Sequence, residues 1–208
     1  MPEANETLTI LRLAPEQFRW EVGYSPGRPQ ILADWQQQTG ALLVVNGGYF
    51  TPEFTATGLI IADGQASGAS YVGFGGMVVV DGAGTAALRS LADQPYSSQE
   101  TWSAAVQSFP LLVKPGGQLG FPADQESGQR ARRTVIGQDV NGRILLIMAP
   151  RGGFTLHQLS AWLIASDLEL DIALNLDGGP STGLVLADPS LTIPAFSALP
   201  IVLLAYER

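Results

Sequence analysis

Short apolar runs alternate with polar segments containing glycine or proline along most of the chain. Runs of about four to eight apolar residues bounded by turn residues are typical of strands buried on one or both faces. The pattern therefore predicts a series of short buried strands. The clearest of these predicted strands are residues 41–46, 76–82, 171–177 and 199–208.

A β-hairpin is predicted for residues 134–149. Asn141 and Gly142 separate two β-rich runs in this segment. Asn and Gly tolerate the positive φ angles of a type I′ turn, which is common between antiparallel strands. We therefore expect the two runs to pair directly with each other.

Two segments carry helix signals. Residues 29–40 combine an early Pro29, suited to a first helical turn, with a closing Gly40. Residues 155–170 place leucines at i, i+3 and i+7, and Thr155 is available as the N-cap. These leucines are Leu156, Leu159 and Leu163. Each helix is predicted to pack one face against a strand.

The fold class that follows is α+β. A mixture of hairpins and two or three helices indicates a largely antiparallel or mixed sheet with flanking helices. The 24 glycines and 14 prolines are spread along the chain, so no linker divides it. We therefore predict a single domain over residues 1–208, with a polar loop at about residues 90–100.

Composition excludes some partners. The net charge is −8 and only eleven residues are basic, which argues against nucleic acid as a partner. The apolar stretches are too short to span a membrane, and the first ten residues lack a signal-peptide pattern. We expect either a cytoplasmic protein or one whose export signal has been removed, and the oligomeric state stays open.

Cofactors are predicted to be absent. The chain has no cysteine and a single histidine, so thiolate sites are excluded and any metal would need mainly oxygen ligands. No metal ligands are predicted on this basis. A divalent metal held by oxygen atoms remains open.

Two segments of the chain share one sequence pattern. Residues 42–50 and 172–181 each run an apolar strand into a polar residue followed by Gly-Gly. Adjacent glycines let a ligand approach the backbone and leave N–H groups free to bind an anion. Gly47, Gly48, Gly178 and Gly179 are therefore candidate substrate-binding residues. The alternative is a pair of ordinary glycine turns.

The second of these segments also contains G-x-S-x-G, the pattern of a hydrolase nucleophile elbow, centred on Ser181. An elbow requires a helix directly after the serine, whereas residues 182–194 contain β-branched residues and prolines. Its triad would also need a histidine downstream of the acid, and His157 lies upstream. We expect His157 to be structural and Ser181 not to be a nucleophile.

An ordered set of four segments gives the chain a family resemblance. "VNGGYF", "RRTVIG", "GGFTLHQLSAWL" and "ALNLDGGPSTGL" occur in the order and approximate spacing of the phosphodiester glycosidase family, and the sequence resembles a compact bacterial-type member over residues 42–208. The resemblance implies a site lined by Asn46, Arg133, Asp177, Gly178, Gly179 and Ser181. Pro180 departs from the third glycine that many members have, which bears on substrate range.

The implied reaction assigns roles to these side chains. Stabilising a positive sugar carbon and a phosphate leaving group requires a carboxylate and a guanidinium together. Arg133 can hold two phosphate oxygens at once, whereas its alternative role is a structural ion pair. Asp177, at the end of a buried strand, is the candidate acid–base or nucleophilic group, and its alternative role is to cap a turn.

Further residues are assigned around these two. Glycosidases commonly use a second carboxylate, and Glu53 is the nearest candidate along the chain. Glu53 could equally be a solvated loop charge, and because phosphate leaves readily one carboxylate could suffice. Asn46, Ser181 and Thr182 are expected to position sugar hydroxyls or phosphate oxygens.

The function expected from the resemblance is hydrolysis of a carbohydrate phosphate. The bond broken would be the glycosidic bond of a sugar-1-phosphodiester of the N-acetylglucosamine type, in envelope glycans, exopolysaccharide or other exported glycans. Two alternatives stay open: a phosphodiesterase that breaks the P–O bond, and a glycan- or phosphate-binding module without turnover.

Overall fold

A computed structural model describes residues 6–208, which form sixteen β-strands, two α-helices and two short 3₁₀ helices. The α-helices are α1 (Leu32–Thr39) and α2 (Leu156–Ala165), and the 3₁₀ helices span Ala123–Gln125 and Gly179–Ser181. The strands in the first half of the chain are β1 (Thr9–Leu13), β2 (Phe18–Tyr24), β3 (Leu43–Asn46), β4 (Ile60–Ala62), β5 (Gln65–Ser67), β6 (Gly76–Val80), β7 (Ala86–Ser90) and β8 (Ala104–Ser108). Those in the second half are β9 (Leu111–Lys114), β10 (Gln118–Leu119), β11 (Ala131–Asp139), β12 (Ile144–Phe154), β13 (Leu170–Asn175), β14 (Leu184–Leu186), β15 (Leu191–Ile193) and β16 (Ile201–Glu207).

The strands assemble into three antiparallel sheets rather than one. The first has the order β1-β12-β11-β13-β9-β10, the second β15-β14-β3-β16-β2, and the third β5-β4-β8-β6-β7. All strand pairs in the three sheets are antiparallel. The α+β prediction is therefore only roughly right, because the fold is largely β and two helices accompany three sheets.

One large apolar cluster joins the three sheets. Its buried side chains include Ile136 and Leu174 from the first sheet, Val45 and Leu203 from the second, and Val78 from the third. Burial of apolar surface on this scale is the main favourable contribution to folding. Strands from different sheets are thereby held against each other, which brings their ends together.

The predicted hairpin is confirmed, but its turn differs from the expected type. Strands β11 and β12 pair antiparallel, and within the turn Gly142 has a positive φ of 79° while Asn141 does not. The reason is Asp139, whose buried carboxylate accepts hydrogen bonds from the backbone N–H groups of Asn141 (3.0 Å) and Arg143 (2.9 Å). This local bonding fixes a turn in which only one residue is left-handed.

Both predicted helices are confirmed with shorter bounds. In α2, the Thr155 hydroxyl accepts from the Gln158 N–H at 3.2 Å, and the Gln158 side chain accepts from the Thr155 N–H at 3.3 Å. This reciprocal capping box fixes the start of the helix. Helix α1 ends at the left-handed Gly40 as predicted, but Pro29 lies before the helix because Ile31 is its N-cap.

Candidate active site

The two Gly-Gly segments meet at the ends of β3 and β13. Asn46 donates from Nδ2 to the Asp177 carbonyl at 2.7 Å, and the Asp177 N–H donates to the Gly47 carbonyl at 3.0 Å. The Asn46 Oδ1 atom accepts from the Thr134 hydroxyl at 2.7 Å and from the Gly183 N–H at 3.1 Å. Asn46 is fully buried, so its amide joins three segments of the fold and orients Asp177. Contact of Asn46 with substrate stays a prediction.

Asp177 presents a half-buried carboxylate just beyond β13. Its Oδ1 atom accepts from the adjacent Gly178 N–H at 2.8 Å. Burial raises the pKa of Asp177 above its ordinary value, and the Ser181 hydroxyl and the Gly178 N–H offset part of that rise. No ion pair involves Asp177 among residues 6–208. The carboxylate is thus poorly solvated and unneutralised, which favours reactivity.

Arg133 lies on β11 beside this carboxylate segment. A Cβ atom placed on Gly178 would lie 4.0 Å from Arg133 Cδ and only 2.8 Å from the Arg132 carbonyl oxygen, so position 178 requires glycine. The Arg133 side chain is buried, with the residue 9% exposed. Its Nη2 donates to the Gln129 carbonyl at 3.0 Å, and its Nε has no hydrogen-bond partner in the described chain.

The charge on Arg133 is also uncompensated. None of the ion pairs formed within residues 6–208 includes it. Burial lowers the pKa of Arg133, while Tyr49 and Glu126 raise it. An arginine guanidinium stays protonated in proteins, so Arg133 keeps its charge. A buried cation without an ion pair is costly, and binding of an anion by Arg133 stays a prediction. Arg132 also forms no ion pair within residues 6–208 and has an unpartnered Nη1, but two of its nitrogens donate to the Pro150 and Pro194 carbonyls.

Tyr49 is a site residue that the sequence reasoning missed. Its hydroxyl accepts a hydrogen bond from Asn175 Nδ2 at 2.7 Å. Burial, followed by the nearby charge of Asp177, raises the pKa of Tyr49 to about 12, and Arg133 acts against this rise. The phenol is therefore neutral near pH 7 and keeps its own proton to donate to a ligand oxygen. Its position directly after Gly47 and Gly48 was the available signal in the sequence.

The glycines mainly permit close packing. The Gly47 N–H donates to the Ile201 carbonyl at 3.0 Å, and a Cβ there would lie 2.5 Å from Ile201 Cγ2. A Cβ on Gly48 would lie 2.6 Å from the Gln107 carbonyl oxygen. Gly179 differs, since its φ is +57° and the space around it is open. The amides of Gly47 and Gly178 are thus already bonded within the protein, and substrate binding by the four glycines stays a prediction.

Ser181 is the last residue of the 3₁₀ helix that follows Asp177, and Thr182 comes directly after that helix. Ser181 is buried, and its Oγ is 3.3 Å from the Ser197 Oγ. Thr182 is fully buried, and its Oγ1 has no partner within the described residues. Strand β14, not a helix, follows this segment, so the context of a nucleophile elbow is missing. His157 lies in α2, where its Nδ1 is 3.0 Å from the Phe121 carbonyl oxygen.

Glu53 lies in the loop that follows β3 and Gly48. Glu53 is exposed, and its backbone N–H donates to the Thr51 hydroxyl at 3.3 Å. Glu126 is the acid whose charge acts on Arg133. Its carboxylate accepts from the His157 N–H at 2.8 Å and the Gly128 N–H at 2.9 Å, which fixes the loop before β11 to the start of α2. The role of Glu53 as a second catalytic carboxylate stays a prediction.

A cluster of metal ligands and a membrane-spanning helix are both absent from residues 6–208. No group of three or more His, Asp or Glu side chains is arranged to hold a metal ion in this part of the chain. No helix there is long and apolar enough to cross a membrane.

These features define a largely β protein with a desolvated carboxylate and an uncompensated buried guanidinium at converging strand ends. A sequence model of the phosphodiester glycosidase family matches residues 39–200. The chain belongs to the phosphodiester glycosidase family.

Solved structures share the fold at low sequence identity. The catalytic domain of zebrafish N-acetylglucosamine-1-phosphodiester alpha-N-acetylglucosaminidase, auto-inhibited by its pro-peptide, matches with a TM-score of 0.72 and 18% identity over 98% of this chain and 83% of that one. A hypothetical protein from Synechocystis matches with a TM-score of 0.72 and 15% identity over 98% and 59% of the two chains. A Burkholderia pseudomallei protein matches with a TM-score of 0.68 and 12% identity over 97% and 74%. No curated protein matches the sequence.

Proposed function

We propose that the protein hydrolyses the glycosidic bond of a sugar-1-phosphodiester. The observation that carries this proposal is Arg133, a buried guanidinium with an unpartnered Nε and no ion pair within residues 6–208. A phosphodiester supplies the missing negative charge and the acceptor oxygens. Family membership supports hydrolysis of this linkage at the level of the family.

The proposed reaction divides the work between the two charged groups. Water supplies the oxygen that bonds to the anomeric carbon, the bond from that carbon to the phosphate oxygen breaks, and its electron pair leaves with the phosphate. Asp177, as a carboxylate, stabilises the positive sugar carbon, attacks it as a nucleophile, or acts as the base that takes the proton from the attacking water. Arg133 binds the phosphate, and Tyr49 donates a hydrogen bond to a non-bridging oxygen.

The finer proposal concerns the sugar. We infer N-acetylglucosamine as the sugar on the phosphate, in an envelope or exported glycan. It is supported by the name of the zebrafish enzyme, whose catalytic domain shares the fold. A panel of sugar-1-phosphate methyl esters that differ only in the sugar tests this point, and a preference for another sugar would overturn it.

Hydrolysis in ¹⁸O-labelled water tests the bond that breaks. Attack at the anomeric carbon places the label in the released sugar, which is the expected result. Label in the phosphate product would instead identify a phosphodiesterase that breaks the P–O bond. Binding of sugar-1-phosphate diesters with no product would identify a binding module without turnover.

Replacing Tyr49 with phenylalanine is expected to lower kcat/KM by about 10- to 100-fold. The change removes one hydrogen-bond donor aimed at a charged oxygen but keeps the ring that packs on Phe109. Steady-state kinetics on a sugar-1-phosphate methyl ester measures the loss. Asn175 Nδ2 retains the Leu176 carbonyl as an acceptor at 2.8 Å, so the melting temperature should change little.

The matched control for this prediction is Tyr71→Phe. The Tyr71 hydroxyl is 2.7 Å from the Thr57 hydroxyl. Burial raises the pKa of Tyr71 and that contact offsets part of the rise, whereas neither Asp177 nor Arg133 contributes to it. Its loss should leave kcat/KM within about threefold of the parent. Equal effects of the two substitutions would show that the Tyr49 hydroxyl has no special part in the reaction.

A further inference from the structure

Four aromatic rings extend outward from the candidate site. Tyr49 packs on Phe109 with the ring centroids 4.6 Å apart, and Phe109 in turn contacts Tyr71 at 5.5 Å and Phe74 at 5.9 Å. Tyr71 and Phe74 stack on each other at 5.0 Å. We call these four residues the aromatic row. The hydroxyl of its inner member, Tyr49, is hydrogen-bonded to Asn175, two residues before Asp177, so the row is continuous with the site.

The outer end of the aromatic row is open to solvent. Phe74 is 51% exposed and Phe109 36% exposed, and the neighbouring Val72 is 83% exposed. Gly75 fixes the backbone after Phe74, because its φ is +76° and a Cβ there would lie 2.6 Å from the Ser108 carbonyl oxygen. Clustered apolar side chains that stay exposed on a defined backbone are typical of a binding surface.

A cavity of about 550 Å³ adjoins the outer rings. Phe74 and Phe109 contribute to it together with Leu111, Phe121 and Pro122. Lys114, the only lysine in the chain, also lines it. Its size is within the usual range for a small-molecule pocket of roughly 300–1,000 Å³. The cavity can therefore hold a group of the size of a ring or a short chain.

Two separate connections link the cavity to the candidate site. Phe109 lines the cavity and packs on Tyr49, and Asn175 Nδ2 lies 2.7 Å from the Tyr49 hydroxyl and 3.2 Å from the Phe109 carbonyl oxygen. The loop at residues 121–129 is the second connection, since its start lines the cavity and its Gln129 carbonyl accepts from Arg133. A group attached to a phosphate at Arg133 would thus have the cavity next to it.

We propose that this cavity binds the group esterified to the phosphate on the side away from the sugar, and that this group is apolar. The inference rests on the proposed function, because it takes the phosphate to lie at Arg133. The rings and prolines of the cavity offer an apolar surface, while its polar side chains are limited to Ser90, Asp93, Lys114 and Gln125. A second sugar would need more partners for its hydroxyls, since unpaired polar groups are costly to bury.

Binding of three phosphate monoesters by calorimetry tests the proposal without turnover. Methyl phosphate, benzyl phosphate and glucose 6-phosphate share the anion and differ in the attached group. Benzyl phosphate is expected to bind at least about tenfold more tightly than the other two. Phe74→Ala should remove most of that advantage, whereas Trp162→Ala, an aromatic of similar exposure on α2 outside the cavity, should keep it.

Kinetics on the methyl and benzyl diesters of one sugar-1-phosphate adds a second readout. The leaving phosphates have similar basicity, so a benzyl-to-methyl ratio of kcat/KM above about ten reports binding of the benzyl group, and Phe74→Ala should lower that ratio. Equal affinity for methyl and benzyl phosphate, or tighter binding of glucose 6-phosphate, would overturn the apolar assignment. If neither diester is hydrolysed, the proposed function fails, and the calorimetry still decides whether the cavity binds apolar groups.

Discussion

Asp177→Asn is expected to lower kcat by more than about a thousandfold while leaving the fold intact. Asparagine keeps the size of the side chain and an oxygen that can accept from the Gly178 N–H, but it carries no negative charge. A carboxylate that stabilises or attacks the sugar carbon acts only in its charged form. Single-turnover and steady-state rates on a sugar-1-phosphate methyl ester measure the loss.

The thermal stability of Asp177→Asn should not fall with its activity. The pKa of Asp177 is higher in the folded protein than its ordinary value of 3.8, because the carboxyl is buried. A carboxyl whose pKa rises on folding makes the free energy of unfolding fall as the pH increases through the two values. At pH 7 the ionised side chain therefore costs stability, and Asp177→Asn should melt at the same temperature as the parent or higher. Below pH 3.8 the difference in melting temperature between Asp177→Asn and the parent should narrow.

The control for this prediction is Asp171→Asn on β13, the strand that leads to Asp177. The Asp171 carboxylate accepts only from the Gly116 N–H, at 2.9 Å, and lies outside the candidate site. Its activity should stay within about twofold of the parent. Activity of Asp177→Asn within tenfold of the parent, a loss below about 1.4 kcal/mol in transition-state stabilisation, would remove Asp177 from the chemistry.

Local sequence signals account well for the elements that carry the site. Thr155 and Gln158 form their capping box within four residues, and the Asn141-Gly142 hairpin forms between adjacent strands. In the capping box and the hairpin, the interacting groups belong to one turn or to neighbouring strands. The meeting of the two Gly-Gly segments, through the bonds between Asn46, Gly47 and Asp177, is not a local signal, and only the family resemblance implied that Asn46 and Asp177 share a site.

The features that the sequence did not predict depend on contacts distant along the chain. Tyr49 gains its role from Asn175, 126 positions away. Phe109 joins Tyr49 to Phe74 only because three strands from separate parts of the chain bring them together. The division into three sheets has the same origin, since strand pairing over long separations is not encoded in the local apolar pattern. Propensity and periodicity therefore describe the elements better than their assembly.

Arg133→Lys is expected to lower kcat/KM nearly as much as Arg133→Ala, by about a hundredfold or more in both variants. The Arg133 guanidinium already uses Nη2 to donate to the Gln129 carbonyl, and its buried Nε remains to bind an anion. A lysine ammonium keeps the charge but lacks the planar arrangement that holds two phosphate oxygens together. Inorganic phosphate should inhibit the parent competitively and both variants at least about tenfold more weakly.

Thermal stability separates this role from a structural one. Phosphate that neutralises the buried guanidinium should raise the melting temperature of the parent, because a ligand that binds only the folded state stabilises it. The same concentration should leave Arg133→Lys and Arg133→Ala nearly unchanged. Arg132→Lys is the matched control, since Arg132 donates to the Pro150 and Pro194 carbonyls, and it should retain the activity, the inhibition and the shift. If Arg133→Lys kept full activity and phosphate inhibition, a point charge at this position would suffice. If Arg133→Ala kept both, the anion would bind elsewhere.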